Sequence, residues 1–328
     1  MRIVAPGRVN LIGDHTDYTG GLVLPMAIDR ATVIDGEPGG DRIMLTSIDE
    51  PDPVDLPLRV DHPESVSPAW GRYVAGVVSE LAPTIGFRGT VTTAIPIGAG
   101  LSSSAALELA VALALGAEGS PLDIALMCQR AEQRASGVPS GIMDQWCIAA
   151  GLEGHALMMD CGTLLAAPVR IPDDVEVVVQ FVAHRTLVGS PYADRVAECA
   201  TAEAAIGPLR DATLLDTGRI GDPVAQRRAR HVVAENQRVR DMAAALELHE
   251  LADAGRLMVE SHESLRDLYE TSTPQMDAAV ARLVATPGVW GARMTGGGFG
   301  GCVVALTQPG ALTEGWIVRP TRGAHVSP

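Results

Sequence analysis

At 328 residues, 47% of them hydrophobic and 20% charged, the chain has enough apolar material for one large folded domain or two of ordinary size, and its composition excludes global disorder. The formal net charge of −15 disfavours nucleic acid and anionic membranes as partners, because both repel an acidic surface. All 25 basic residues are arginines. The absence of lysine excludes a P-loop and every other mechanism that requires one.

The five cysteines are odd in number, widely spaced and form no CxxC motif. This pattern is typical of reduced, mostly buried thiols in a cytoplasmic protein. The first ten residues contain no apolar stretch long enough for a signal peptide. The longest apolar-rich run, "AALELAVALALGA", includes Glu108 and is too short to span a bilayer. The sequence therefore predicts a soluble cytoplasmic protein with no membrane contact.

The first half of the chain contains both strand-like and helical segments. Residues 2–13 and 32–36 are β-rich and bounded by glycine, which predicts strands. The spacing of apolar residues predicts a helix over 67–82. Apolar and polar residues alternate over 89–98, which predicts a strand, and a glycine turn then leads into a segment that strongly favours a helix. Another helix is predicted over 121–136.

The pattern breaks around residues 162–175, where we expect the boundary between two domains, residues 1–170 and 171–328. After this boundary, strands and helices follow one another without regular βαβ alternation, so the sequence predicts an α+β fold. The predicted elements of the second half are a strand over 175–183, helical stretches over about 191–206, 224–270 and 274–285, and a glycine loop that leads into a final strand near residues 294–306.

The opening stretch "GRVNLIGDHTDYTGG", residues 7–21, carries an unusual variety of polar groups. A cation, an amide, two carboxylates, an imidazole and a phenol lie within eleven residues between glycines. A buried polar network of this kind is costly unless neighbouring groups or a ligand satisfy it. The stretch is therefore a candidate binding site.

The segment "PIGAGLSSSAA", residues 96–106, predicts a phosphate site. Gly98 and Gly100 allow the backbone to turn with its N–H groups facing one way. Ser102, Ser103 and Ser104 follow where a helix begins, so unpaired N–H groups and the positive end of the helix dipole are available to an anion. The serine hydroxyls either cap the helix or bind Mg²⁺. A plain serine cap after a tight turn is the alternative.

Two further segments are ambiguous when taken alone. "GVPSGIMDQW", residues 137–146, places Asp144 just beyond a Pro/Gly-rich turn, where an aspartate is usually a helix cap. "MTGGGFGG", residues 294–301, is either a ligand loop or a turn with close backbone packing. It precedes a strand near the carboxyl end, whereas a Rossmann fingerprint follows a first strand and opens a helix. A nicotinamide dehydrogenase is therefore disfavoured.

Together these segments resemble the GHMP family of small-molecule kinases, and within it the galactokinases. The opening stretch is similar to the galactokinase signature, residues 96–106 to the ATP loop of the family, and residues 294–301 to its third motif, in the expected order. "GIMDQ" resembles the segment of the catalytic aspartate, and "PAWGRYVAGV" resembles the helix beside adenine. The resemblance covers most of the chain.

The resemblance implies a two-lobed fold with the active site between the lobes, and transfer of the ATP γ-phosphoryl group to the anomeric hydroxyl of galactose. It implies that Asp144 lies beside the attacking hydroxyl, with Arg8 close to Asp144 and to the γ-phosphate, and that Ser104 and Glu132 bind Mg²⁺. The implied sugar contacts are Asp14, His15, Thr16, Asp17, Gly141 and Tyr192. The implied ATP contacts are Gly98, Ala99, Gly100, Leu101, Ser102, Ser103 and Ser104.

The sequence departs from the usual galactokinase pattern in three places. Asp14 stands where glutamate is commonest, and Ser140 stands where cysteine is more usual. Only about ten residues separate "GGCVVAL" from the strand-like "IVRP", where the family usually has a helix. The sugar and the oligomeric state stay open at this stage.

Two alternative functions also remain. One is a kinase for another sugar such as N-acetylgalactosamine or arabinose. The other is a non-catalytic sugar sensor, which is expected to lose the small residues of the phosphate loop. Those residues are intact here, in "SSSAA".

Overall fold

The computed structural model describes residues 1–184 and 189–327. Up to residue 170 it contains β1 (Arg2–Asn10), β2 (Leu22–Val23), β3 (Pro25–Pro38), β4 (Arg42–Ser47), β5 (Val54–Pro57), α1 (Gly71–Leu81), β6 (Phe87–Thr93), α2 (Ser103–Ala114), α3 (Pro121–Ser136), α4 (Met143–Ala150), β7 (His155–Asp160) and β8 (Leu165–Arg170). Short 3₁₀ turns cover Asp17–Thr19 and Pro63–Ser65.

The elements after residue 170 are mainly helical. They are β9 (Glu176–Ala183), α5 (Tyr192–Ile206), α6 (Leu214–Thr217), α7 (Pro223–Glu247), α8 (Leu251–Ser264) with a π turn at Leu265–Tyr269, α9 (Pro274–Val284), β10 (Val289–Thr295), β11 (Gly301–Thr307), β12 (Trp316–Val318) and β13 (His325–Ser327). No helix in the described ranges is long and apolar enough to cross a membrane. The mixture of sheets and helices confirms the α+β prediction.

Three sheets organise these strands. A six-stranded sheet has the order β13-β1-β3-β6-β4-β5, a four-stranded sheet β10-β11-β9-β12, and a three-stranded sheet β2-β7-β8. The helix α2 packs on β1 and β3, with α1 and α3 beside it, and it is buried on nearly every face because its sequence is apolar almost throughout. A separate core lies between α5, α7, α9 and the strands β10 and β11.

One glycine brings the first strand against the predicted phosphate loop. A Cβ atom at Gly7 would lie 2.8 Å from the Leu101 carbonyl oxygen, so only glycine permits this approach. The next residue, Arg8, donates its backbone N–H to the same carbonyl at 3.2 Å. The opening stretch and the loop before α2 are therefore neighbours, although about 90 residues separate them along the chain.

One predicted helix is wrong in extent. The single helical stretch over 224–270 is divided into α7 and α8, because His249 adopts a left-handed backbone conformation with φ of 60°. Glu250 donates its N–H to the Ala245 carbonyl at 2.8 Å and closes the turn. The turn contains neither glycine nor proline, so the sequence carried no signal for it.

The short segment after β11 forms strands. The strand-like "IVRP" does contain a strand, β12, which pairs with β9, and β13 pairs antiparallel with β1, with Arg2 opposite Ser327. The described residues after 307 include no helix. The division into domains at residue 170 stays a prediction.

Candidate active site

A cavity of about 570 Å³ opens where the ends of several elements meet. Its wall combines the opening stretch, the N-terminus of α2, the side of α3 and the turn before α4. Gly296 and Gly297 from the loop after β10 complete it. The glycine loop near the carboxyl end and the serines at residues 102–104 therefore line one cavity.

Arg8 and Asp144 form a two-point ion pair at the centre of this cavity. The Arg8 Nε donates to Asp144 Oδ1 and its Nη2 donates to Asp144 Oδ2, both at 2.7 Å. The third guanidinium nitrogen, Nη1, donates to the Gly100 carbonyl at 2.7 Å. Arg8 is buried on β1, and Asp144 lies in the first turn of α4. The pair joins the first strand, the phosphate loop and α4, and it fixes the orientation of the carboxylate.

The phosphate loop has the geometry of an anion site. Gly98 and Gly100 have φ of 74° and 81°, a region that glycine adopts at little cost. Ser102 is also left-handed, with φ of 61°, and its hydroxyl donates to Asp144 Oδ2 and makes no helix-cap bond. The N–H groups of the first turn of α2 therefore remain available to a ligand at the positive end of the helix dipole.

Ser104 and Glu132 present hard oxygen donors to the same cavity. The Ser104 hydroxyl donates to Glu132 Oε1 at 3.0 Å, while Ser140 and Gln145 donate to Glu132 Oε2 at 3.1 and 2.8 Å. Burial, followed by the Asp144 charge, raises the pKa of Glu132. The described residues contain no group of three or more metal-binding side chains. One carboxylate and one hydroxyl nevertheless fit Mg²⁺, which commonly keeps several waters and binds through few protein ligands together with substrate phosphates.

Asp17 and His15 lie at the other end of the cavity. A Cβ atom at Gly141 would lie 1.9 Å from Asp17 Oδ2, so the absence of a side chain at 141 leaves room for this carboxylate. Burial, followed by the Asp144 charge, raises the pKa of Asp17 to about 7. The His15 ring packs on Tyr192 with centroids 5.4 Å apart. These groups offer a sugar several donors and acceptors within one enclosed region.

Asp14 also lines the cavity, but other protein groups already engage both of its oxygens. Arg293 Nη1 donates to Oδ2 at 2.5 Å and the Gly296 N–H donates to Oδ1 at 2.8 Å. Burial raises the pKa of Asp14 despite the opposing effect of the Arg293 guanidinium. Asp14 therefore ties the opening stretch to β10 and the glycine loop that follows it.

Part of the remaining cavity wall is apolar and adjoins the phosphate loop. Trp70 and Tyr73 reach it from the start of α1, and the Trp70 Nε1 donates to the Asp52 carbonyl at 3.0 Å. Such a surface suits a flat, weakly polar ring such as a purine. The other apolar residues that line the cavity are Ala69, Val91, Ile97, Leu107, Ala135, Val138 and Met143, and the charged residues Asp49, Glu50 and Arg72 also line it.

Comparisons with known proteins agree with this geometry. Residues 1–38 match the model of the galactokinase galactose-binding signature, residues 72–152 the GHMP kinase N-terminal domain, and residues 242–314 the GHMP kinase C-terminal domain. The chain is 44% identical to a Bos taurus galactokinase and 42% identical to a Homo sapiens galactokinase, in each case over 95% of this chain and 84% of the relative.

The chain belongs to the galactokinase family of GHMP kinases.

Solved structures confirm the two-lobed GHMP kinase fold. A Lactococcus lactis galactokinase complexed with galactose superimposes with a TM-score of 0.92 at 30% identity, over 99% of this chain and 94% of that one. A mevalonate kinase shares the fold with a TM-score of 0.68 at 22% identity, over 95% and 92% of the two chains. As a kinase of this family, the protein uses ATP.

Most of the residues that the galactokinase resemblance implied do meet in this cavity. Three do not line it. Thr16 is buried, and its hydroxyl donates to the Gly13 and Leu22 carbonyls at 2.9 and 2.6 Å, so it stabilises the loop. Ala99 and Leu101 belong to the phosphate loop, but both residues are buried and neither lines the cavity. The implied residues that line the cavity are Arg8, Asp14, His15, Asp17, Gly98, Gly100, Ser102, Ser103, Ser104, Glu132, Gly141, Asp144 and Tyr192.

Sequence reasoning missed the buried groups that support the galactokinase signature from behind. Glu235 on α7 is fully buried and accepts the Gly13 N–H at 3.0 Å, and its neighbour Asn236 accepts the Leu22 N–H at 2.7 Å. Arg293 is fully buried on β10. The only available signal was an arginine placed directly before the "MTGGGFGG" loop, since the segment around Glu235 resembles an ordinary solvated helix.

Proposed function

We propose that this protein transfers the γ-phosphoryl group of ATP to the anomeric hydroxyl of galactose and releases galactose 1-phosphate. The observation that supports this best is the Arg8–Asp144 pair, which meets the Ser102 hydroxyl at the N-terminus of α2. This cluster lies between the galactose-binding signature and the phosphate loop, where the two substrates have to meet. The relatives named galactokinase, and the solved galactokinase with galactose, support galactose as the sugar.

Asp144 would accept the proton of the anomeric hydroxyl. As the anomeric oxygen bonds to the γ-phosphorus, the bond between the γ-phosphorus and the β–γ bridging oxygen breaks. A hemiacetal hydroxyl is more acidic than an ordinary alcohol, and a loose transition state needs little proton removal early. The carboxylate therefore orients and polarises the hydroxyl as much as it deprotonates it. Arg8 holds both carboxylate oxygens and places a positive charge beside the reacting phosphoryl group.

The sugar would bind at the end of the cavity that contains Asp17, His15, Gly141 and Tyr192. Asp17 is our first choice for the axial 4-hydroxyl, since a carboxylate accepts hydrogen bonds from hydroxyls and the missing side chain at Gly141 leaves room for it in the wall. Asp14 would act on the sugar mainly through the loops that it joins, because Arg293 and the Gly296 N–H already engage its oxygens.

The triphosphate would lie along residues 98–104, with adenine against the apolar wall at Trp70 and Tyr73. Ser104 and Glu132 would hold Mg²⁺, whose charge neutralises the phosphate oxygens when it is bound. The two donors lie 3.0 Å apart on adjacent helices, so they converge on one point of the cavity wall.

The test is a coupled ADP-release assay that compares galactose and glucose, which differ only at the 4-hydroxyl. A site built to hydrogen-bond a hydroxyl discriminates against an analogue that lacks this contact, because buried polar groups are left unpaired. The expected difference in kcat/KM is about 10⁴-fold. Asp17→Ala should lower kcat/KM for galactose and leave the KM for ATP within about twofold of wild type. Asp61→Ala, which removes an exposed carboxylate, is the matched control.

Comparable kcat/KM values for the two sugars in the wild-type enzyme would overturn the galactose assignment and leave the kinase activity intact. Faster turnover of N-acetylgalactosamine or arabinose would reassign the sugar. Binding of galactose without ADP release would indicate a non-catalytic sensor.

A further inference from the structure

A chain of hydroxyl contacts reaches the His15 imidazole from behind. His15 Nδ1 lies 2.9 Å from the Tyr18 hydroxyl, which lies 2.7 Å from the Tyr269 hydroxyl. The Tyr269 hydroxyl in turn lies 3.0 Å from Cys199 Sγ. This series of contacts begins at the cavity wall, and it ends in the core formed by α5, α7 and the π turn after α8.

The far end of this chain is held in place by charged groups. Tyr269 is fully buried, and its carbonyl accepts a hydrogen bond from Arg195 Nε at 2.7 Å. The Arg228 guanidinium lies 5.8 Å from the centre of the Tyr269 ring, and the His231 ring packs on it with centroids 4.5 Å apart. These contacts therefore hold the Tyr269 hydroxyl in a fixed position.

The aromatic rings hold His15 on several sides. Tyr269 packs on the imidazole with centroids 4.8 Å apart, and Tyr18 approaches edge-on at 5.9 Å and 79°. The backbone of His15 is left-handed, with φ of 65°, which costs energy for a residue with a side chain. Packing and hydroxyl contacts on Tyr18 and Tyr269 offset this cost and hold the ring in one orientation.

The two phenols remain protonated, since burial raises the pKa of Tyr18 and of Tyr269 well above the ordinary value. Each hydroxyl carries a single proton, so the direction of one hydrogen bond in the chain determines the direction of the next. The bond at Nδ1 then determines which imidazole nitrogen of His15 carries the proton.

We propose that Tyr18 and Tyr269 are positioning residues that fix the ring orientation and the tautomer of His15 toward the sugar. Neither phenol is among the residues that line the cavity, so both act through the imidazole. The inference rests on the proposed function, in which His15 contacts galactose. It assigns a role to Tyr18, which the sequence displayed without a function, and to Tyr269, which lies 251 residues further along the chain.

The experiment measures galactose binding calorimetrically and the KM for each substrate in Tyr18→Phe, Tyr269→Phe and the double variant. Tyr18→Phe should raise the galactose Kd and KM by about three- to tenfold, the effect of one misaligned hydrogen bond, and leave the KM for ATP unchanged. Tyr269→Phe should raise them by about twofold, because it preserves the contact between Tyr18 and His15. The double variant should match Tyr18→Phe, since both substitutions interrupt one chain.

Thr201→Val is the matched control, because it removes a hydroxyl from the exposed face of α5 and should change neither KM. A second readout is the ¹⁵N NMR spectrum of the histidine-labelled enzyme without sugar, with His15 assigned from a His15→Asn variant. Tyr18→Phe should shift the two ring nitrogens of His15, and Tyr269→Phe should shift them less.

A lower melting temperature with unchanged galactose Kd and unchanged His15 resonances would overturn the inference, since only a structural role would remain. If Tyr18→Phe does not fold, Tyr269→Phe decides by the same two readouts. Wild-type enzyme that fails to phosphorylate galactose would refute the proposed function, whereas the spectrum without sugar would still report whether the phenols set the His15 tautomer.

Discussion

The proposed sugar end of the cavity, at His15 and Asp17, and the proposed phosphate end, at residues 98–104, are built in different ways. At the sugar end, buried side chains are already paired with other side chains, as Asp14 is with Arg293 and His15 with Tyr18. At the phosphate end, residues 98–104 offer backbone N–H groups and hydroxyls from a glycine turn. A sugar is recognised by the positions of several neutral hydroxyls, which requires oriented partners. A phosphate is an anion, and free backbone N–H groups at the positive end of a helix dipole attract it.

The largest expected effect comes from the residue between the two ends. Asp144→Asn should lower kcat by about 10²- to 10⁴-fold, the usual range for a positioned acid or base, while the galactose Kd changes much less. Pre-steady-state turnover and calorimetric binding measure the two quantities separately. Near wild-type kcat would show that Asp144 only holds Arg8 and Ser102 in place and that our mechanism is wrong.

Arg8→Ala provides the partner measurement for Asp144→Asn. It should also lower kcat, because the guanidinium holds both carboxylate oxygens. The double variant should lose less than the product of the single effects if both residues act on one transition state. A full product would mean that the two residues act independently.

At the sugar end, Asp14→Ala should lower the free energy of unfolding by about 3 kcal/mol, because it leaves the fully buried Arg293 guanidinium without its closest carboxylate. Urea unfolding followed by tryptophan fluorescence measures the change. The double variant Asp14→Leu/Arg293→Met should recover much of the loss, since it removes both charges. A loss below about 0.5 kcal/mol in Asp14→Ala would show that this tie does little for stability.

At the phosphate end, Ser104→Ala should raise the Mg²⁺ concentration for half-maximal velocity by about tenfold and leave the galactose KM unchanged, since one of two protein donors is lost. Asp17→Ala is the matched comparison. It should raise the galactose KM and leave the Mg²⁺ concentration for half-maximal velocity unchanged. Equal Mg²⁺ dependence in Ser104→Ala and the wild-type enzyme would remove Ser104 from the proposed metal site.

The difference between the two ends also explains what the sequence was able to predict. The phosphate loop is local, so two glycines and three serines before an apolar helix predicted its position directly. The helix over 121–136 was predicted with the observed bounds, since Gly137 ends the helical pattern. In the structure, Ser120 and Asp123 also form a capping box at its start.

The partners of the sugar end were not predictable in this way. Glu235, Tyr269 and Arg293 meet the opening stretch only through the folded chain, and their neighbours in sequence show no local pattern that marks them. The family resemblance identified most of the residues that line the cavity. The resemblance did not identify the residues that support these from behind. It also implied that Thr16 contacts the sugar, whereas the Thr16 hydroxyl is bonded within its own loop.

The tie between Asp14 and Arg293 spans 279 residues, and Asn10 meets Thr295 across 285. On a ribosome that adds about 5–20 residues per second, Asp14 waits for roughly 14–56 s before its partner is synthesised. Contacts this distant in sequence are among the slowest to form. This end of the cavity is therefore completed late in synthesis, shortly before β12 and β13 are added, although residues 7–21 are synthesised long before.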